Sequence, residues 1–226
     1  MKSNKVVILH SGGLDSTVCL LQAIEQGKEV ISLGIDYNQK HKIENQFANA
    51  QCKTLNIERK IISLEWDKPF KIIPKGRSVD VIRNDVSPAF LEGRNIVFLA
   101  LACAEAAGVK ASEVWIGVNS LDFSGYPDCR PEFIDSFIEM LKHGYPNGPR
   151  IITSLINLTK PEIAQEAYRL GIRKGGTWSC YSPKVSEEGI QPCNECDACI
   201  LHNYAWNNIN KDVKAADNKF SDLSFR

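Results

Sequence analysis

Hydrophobic positions first gather at residues 5–10, where Val6, Val7, Ile8 and Leu9 run unbroken and read as a buried strand. A helix predicted over 15–26 follows. Leu14, Val18, Leu20, Leu21 and Ile24 fall at helical spacing, and Gly27 ends the pattern. A second apolar strand occupies 29–36, a helix runs from about 42 to 55, and a third strand covers 59–64. Residues 65–92 contain Pro69, Pro74, Gly76 and Pro88 and no clean period, so they read as a long excursion over one edge of the site. Regular patterning resumes with an apolar helix from 94 to about 108 and a strand at 113–119. A helix then opens at Pro131 and runs through Leu141, followed by a loop at 144–150 and a short apolar element at 151–158. Thr159-Lys160-Pro161-Glu162 has the form of a capping box and starts a helix that reaches Gly171. Alternation of strand and helix predicts an α/β class fold with a doubly wound parallel sheet. Residues 1–175 read as that domain and 176–226 as a small C-terminal segment packed on it, with a polar tail expected to fray.

Bulk properties narrow the setting. The 226 residues suit one domain with an appendage, and 43% hydrophobic with 24% charged residues is ordinary for a soluble protein. Lys plus Arg and Asp plus Glu both number 27, so no net positive charge advertises direct nucleic-acid binding. No apolar run reaches the ~18 residues of a membrane span. Residues 1–5 lead into a strand without a signal-peptide pattern, so the expected location is cytoplasmic. In that reducing setting the eight cysteines are not expected to form disulfides.

The chemistry starts between the first strand and helix. Gly12 and Gly13 permit a sharp turn that aims backbone N–H groups, with that of Leu14, at an anion, and the helix adds its positive end. Ser11, Ser16 and Thr17 supply hydroxyls, which completes a phosphate cradle. No lysine follows the glycines, as a Walker A loop requires, and G-x-G-x-x-G is absent. Asp15 instead sits in the first turn, where its charge suits a bridging Mg²⁺. A plain strand-to-helix turn capped by Asp15 or Ser16 is the alternative. Lys160 stands in the first turn of its own helix, where the dipole disfavours a cation, so either it serves an anion or it is a solvated surface lysine.

Cys193, Cys196 and Cys199 stand at x₂ spacing, with Cys180 upstream. Four thiolates fit a closed tetrahedral Zn²⁺ site. An iron–sulfur cluster is the competing reading, although the ferredoxin run with a fourth nearby cysteine is missing. Cys19, Cys52 and Cys103 read as small core residues. Cys129 is a less favoured candidate nucleophile.

The string S-G-G-L-D-S-T resembles the PP-loop of ATP pyrophosphatases, which implies an adenine nucleotide alpha hydrolase-like fold and adenylyl transfer. A more specific resemblance spans about residues 5–206. It rests on Asp36-Tyr37-x-Gln39-Lys40-His41, Gly93-Arg94-Asn95, Gly117-Val118-Asn119, the run from Asp122 to Phe133 containing S-G-Y-P-D-C-R, Leu158-Thr159-Lys160, Thr177-Trp178-Ser179-Cys180-Tyr181 and the cysteine triplet. These resemble the 7-cyano-7-deazaguanine synthase (QueC) family. That resemblance implies activation of 7-carboxy-7-deazaguanine by ATP, amidation by ammonia, and a second activation that yields the nitrile. It implies ATP on Ser11–Thr17, Mg²⁺ on Asp15, Lys160 at the α-phosphate, and Arg94 on phosphate or substrate carboxylate. Tyr37, Gln39, Lys40 and Asn95 are further substrate candidates.

A guanine-like edge carries N–H donors, for which Asp128 or Glu132 is the expected reader and Tyr126 or Trp178 the stacking partner. Asp128 and Arg130 have an internal ion pair as their alternative. The family also implies a homodimer. Departures from its pattern are Asn38, Glu92, Ser154 and His202. Glu92 motivates an alternative, in which the activated deazapurine is joined to a protein amine. A tRNA-modifying PP-loop enzyme and an idle scaffold are the other readings.

Overall fold

The computed structural model describes residues 3–37, 43–65, 72–120, 125–187 and 189–210. Five strands, β1 (Lys5–Leu9), β2 (Glu29–Asp36), β3 (Glu58–Ser63), β4 (Glu113–Trp115) and β5 (Arg150–Ile152), form one parallel sheet in the order β3-β2-β1-β4-β5. Its centre is β1, whose side chains alternate between two cores. Val6 and Ile8 pack toward α1 (Leu14–Glu25), α6 (Lys160–Arg169) and the Ala205 and Trp206 end of α7 (Asp197–Asn207). Val7 packs on the other face with Leu99 and Ala102 of α4 (Arg94–Val109) and Ile134 and Phe137 of α5 (Pro131–Gly144). A central strand buried on both faces explains the unbroken apolar run that announced it. No helix among the described residues is long and apolar enough to cross a membrane.

The expected α/β architecture with a doubly wound parallel sheet is present, and its fifth strand comes from the short apolar element after residue 150. The strand expected over 113–119 stops at Trp115. Beyond it the chain passes against the start of α1. A Cβ on Gly117 would lie 3.0 Å from the carbonyl carbon of Asp15, so only glycine lets the two segments meet this closely. Strand order reverses beside β1, and the cleft between the carboxyl ends of β1 and β4 is where such sheets bind ligands.

The excursion after β3 contains α3 (Val79–Asn84), capped by the Ser78 hydroxyl. It is held to the C-terminal segment by Gly76 N–H donating to Glu195 O at 2.9 Å and by Arg77 paired with Asp197 at 2.7 Å. A small antiparallel hairpin, β6 (Lys184–Ser186) and β7 (Gly189–Gln191), lies between Cys180 and Cys193.

α2 (Ile43–Leu55) sits directly over the Ser-Gly-Gly turn. Gly12 has φ +93°, and a Cβ there would overlap the Glu44 carbonyl oxygen and lie 2.7 Å from the Ala48 nitrogen. Both the backbone angle and the space demand glycine. Gly12→Ala is therefore expected to lower stability by more than ~1 kcal/mol, read as a lower urea midpoint at unchanged slope.

Candidate active site

The turn after β1 is braced from beneath by a buried polar network. His10, 1% exposed, meets Ser32 Oγ through Nδ1 at 2.9 Å and Gln51 Oε1 through Nε2 at 2.7 Å. Gln51 in turn donates to Gly176 O, and the Thr17 hydroxyl donates to Gly13 O at 2.7 Å with Gln51 Oε1 3.1 Å away. Thr17 is thus turned inward, supporting the cradle rather than facing the cavity. Burial, aided by the nearby Arg59 guanidinium, pushes the His10 pKa down to about 3.

Above this network lies a cavity of about 240 Å³ at the carboxyl ends of β1 and β4. Ser11, Gly13, Leu14, Asp15 and Ser16 line it from the turn, and Lys160 enters from the start of α6. Gly12 lies under α2 beside this lining. Lys160 Nζ donates to Asp15 Oδ2 at 2.6 Å, and Asn119 Nδ2 donates to the same oxygen at 3.3 Å. Asp15 Oδ1 is buried and has no hydrogen-bond partner among the described residues. Such an orphaned anionic oxygen marks a place for a cation or a donor. The capping box at α6 is present, with Glu162 accepting from the Thr159 N–H and hydroxyl, both at 2.7 Å.

The opposite wall places Arg94, Asn95 and Tyr126 on the cavity, with the Arg94 guanidinium 6.0 Å from the Tyr126 ring centre. Trp178 closes another side, its indole N–H donating to Cys180 O at 3.0 Å and its ring 5.5 Å from Phe47. Tyr37 packs on Phe98 with ring centres 5.4 Å apart, behind this wall.

Asp128, Arg130 and Glu132 do not line the cavity. The Asp128 carboxylate instead accepts the Asn95 N–H at 3.1 Å, so it caps α4, and Asn95 Nδ2 is spent on Asp128 O and Cys129 Sγ. Arg130 and Glu132 are exposed, as is Glu92 before Gly93. Gln39 and Lys40 lie outside the described residues.

The candidate site residues read from the sequence did not include Glu44, Ser179, Tyr181 or His202, all of which line the cavity. Glu44 lies in the first turn of α2, where the dipole favours any acid, so local sequence carries no sign of a further role. His202 braces the wall, with Ser179 Oγ at 3.1 Å from Nδ1 and Lys174 O at 3.2 Å from Nε2.

Beside this wall the four thiols of Cys180, Cys193, Cys196 and Cys199 are buried with their sulfurs all within 4.8 Å of one another. The Cys180–Cys193 and Cys193–Cys199 separations of 3.6 and 3.9 Å are far beyond a ~2.05 Å disulfide bond. Backbone N–H groups of Cys193 and Cys196 point at sulfur from 3.3 Å, as they do toward thiolates in metal knuckles. The cluster is suited to hold a metal ion.

A parallel sheet carrying a Ser-Gly-Gly turn at its switch point, faced by an Asp–Lys pair, defines an ATP-using protein of the PP-loop class. Within that class the match is specific. The family described as queuosine biosynthesis protein QueC matches residues 5–210. The chain is 51% identical over 209 residues to 7-cyano-7-deazaguanine synthase 2 of Rhodopseudomonas palustris (strain HaA2), covering 92% of this chain and 100% of that one. It is 41% identical over 209 residues to 7-cyano-7-deazaguanine synthase of Leptospira interrogans serogroup Icterohaemorrhagiae serovar copenhageni (strain Fiocruz L1-130), covering 88% and 85%. The chain therefore belongs to the QueC family. Among solved structures, the NH3-dependent NAD synthetase from Campylobacter jejuni is more distant, with a TM-score of 0.47 at 19% identity over 77% of this chain and 67% of that one.

The His10 network makes the cradle acid-sensitive. His10 is neutral when folded and takes a proton more readily when unfolded, so its contribution is full above its ordinary pKa of 6.5 and is lost as pH falls toward about 3. Urea midpoints are expected to drop between about pH 7 and pH 5 with net proton uptake on unfolding, a slope that His10→Gln flattens.

Proposed function

We propose that this chain converts 7-carboxy-7-deazaguanine to 7-cyano-7-deazaguanine with ATP and ammonia, the activity for which its relatives are named, in a cytoplasmic setting. The observation that carries the reading is the single cavity in which the phosphate turn, the Asp15–Lys160 pair and Arg94 converge. A substrate carboxylate oxygen attacks the α-phosphorus of ATP and pyrophosphate leaves into the turn. Ammonia then displaces AMP to give the amide. A second ATP activates the amide oxygen, which leaves with AMP as the two N–H protons are lost, and the nitrile results.

Residues of this chain divide the work. The N–H groups of Gly13, Leu14 and Asp15 and the hydroxyls of Ser11 and Ser16 hold phosphate oxygens, with Ser16 Oγ oriented by the Ser11 N–H, which it accepts at 3.2 Å. Lys160 stabilises charge gathering at the α-phosphate, and Arg94 orients the substrate carboxylate. Tyr126 and Trp178 offer ring faces for the deazapurine. Mg²⁺ fits the orphaned Asp15 Oδ1, where it would neutralise triphosphate charge. Zn²⁺ fits the cysteines. A ~2.3 Å Zn–S tetrahedron has edges of about 3.8 Å, close to the 3.6 and 3.9 Å separations here. A four-iron cluster spreads its thiolates over separate iron corners and needs them farther apart. Readings as a protein-conjugating relative or a tRNA-modifying enzyme are not favoured by the named relatives, and Glu92 lies off the cavity wall.

The test is mass spectrometry of product after incubation with 7-carboxy-7-deazaguanine, Mg-ATP and ammonium. Nitrile with AMP supports the reading, and AMP formation indifferent to the deazapurine overturns it. Lys160→Met, which keeps the aliphatic stem, is expected to lower carboxylate-dependent ATP–pyrophosphate exchange by about 100-fold or more. Cys180→Ser is expected to cut bound zinc, measured by plasma emission, well below the about one ion per chain of a closed four-thiolate site. It should also weaken substrate binding, because Trp178 and Ser179 hang from that cysteine.

A further inference from the structure

Among the described residues three carboxylates line the cavity, and two are already committed. Asp15 holds Lys160 at 2.6 Å, and Asp197 holds Arg77 at 2.7 Å. The third, Glu44 in the first turn of α2, makes neither a hydrogen bond nor an ion pair among the described residues. Its backbone oxygen is pressed on Gly12, so the side chain has a fixed origin, and Oε1 comes within 3.9 Å of where a Cβ on Gly13 would sit. A carboxylate without a hydrogen bond or ion pair among the described residues thus lies across the turn to which the proposed function assigns the ATP phosphates.

We propose that Glu44 is the receptor for the nitrogen donor, binding ammonium between its carboxylate and the adenylate phosphate and accepting its proton before attack. Two anions that face each other across a turn favour a small cation between them, and ammonium is the form in which ammonia predominates in neutral water. The Glu44 carboxylate takes one proton, and the freed nitrogen lone pair forms the C–N bond. The C–O bond to AMP breaks, AMP leaves with its electron pair, and the second excess proton passes from nitrogen to the departing phosphate. Arg94 on α4 faces Glu44 and draws its pKa down, while burial outweighs it and pushes the carboxyl up to about 7. Tyr181 also faces it, with Asp15, Lys160, Asp197 and His202 on the remaining walls. A base poised near neutrality is the kind that general base catalysis favours.

The inference rests on the proposed synthase reading, and the test separates the two. ATP–pyrophosphate exchange dependent on 7-carboxy-7-deazaguanine, run without ammonium, reads activation alone. Amide formation with ammonium reads the nitrogen step. Glu44→Gln is expected to keep exchange, and the deazapurine KM within it, within about twofold. It should lower kcat/KM for ammonium by about 100-fold. Against total ammonium, the wild-type rate should rise with pH and level off above about 7, whereas the variant should keep rising toward ammonia's own ionisation. Hydroxylamine, neutral at pH 7, should restore most of the variant's acyl transfer. Loss of exchange in step with amination, a raised deazapurine KM, or an unchanged ammonium profile would each overturn the role of Glu44. Absence of deazapurine-dependent exchange in the unaltered protein would instead remove the synthase reading, and this inference with it.

Discussion

One ion pair holds the two halves of the chain in a working relation. Lys160 Nζ meets Asp15 Oδ2 at 2.6 Å across 145 positions of sequence, and Asn119 joins the same oxygen from the segment beyond β4. Three strands thereby commit their carboxyl ends to one point. The pair also settles an electrostatic oddity. A lysine in the first turn of a helix is opposed by the helix dipole, whereas an aspartate in that position is favoured. Setting the two helix starts face to face lets Asp15 compensate Lys160, and leaves both beside the turn that would hold phosphate. Asp15 Oδ1 stays buried and unpartnered, so the site keeps an unfilled electrostatic demand. Such demand is what a nucleotide with its counterion satisfies.

The cysteine cluster extends the same logic to the wall of the cavity. Trp178 is bound through its indole N–H to Cys180 O, and Ser179 contacts His202. Cys196 caps α7, whose first residue, Asp197, grips Arg77 of the excursion. Four thiols that accept one ion would therefore hold the Trp178 loop, α7 and the excursion together. Apolar packing alone leaves this corner thin, since its core consists of Ile43, Trp178 and the cysteines themselves. A metal is a reasonable substitute for a core where too little apolar surface is available.

Much was legible in the chain because local chemistry wrote it. The doubled periodicity of helix and strand announced the parallel α/β sheet, and Val6 through Leu9 marked its centre, because a strand buried on both faces must be apolar at every position. Ser-Gly-Gly before a helix marked a sharp strand-to-helix turn, since only glycine reaches φ +93° under an overlying helix. Cysteine spacing marked the metal cluster. Each of these signals comes from residues close together in the chain.

What tertiary structure alone decided was which polar side chains face the cavity. Asp128 lay in the most specific string of the sequence, yet its carboxylate is spent on capping α4, while Glu44, in an unremarked first turn, lines the cavity. The strand expected to reach residue 119 ends at Trp115, because the chain must turn there to lay Gly117 on α1. A sequence determines how each segment folds and which residue types its turns require. Whether a carboxylate meets a backbone N–H or a substrate depends on how helices far apart in sequence pack, and side-chain pattern along one segment carries no record of that.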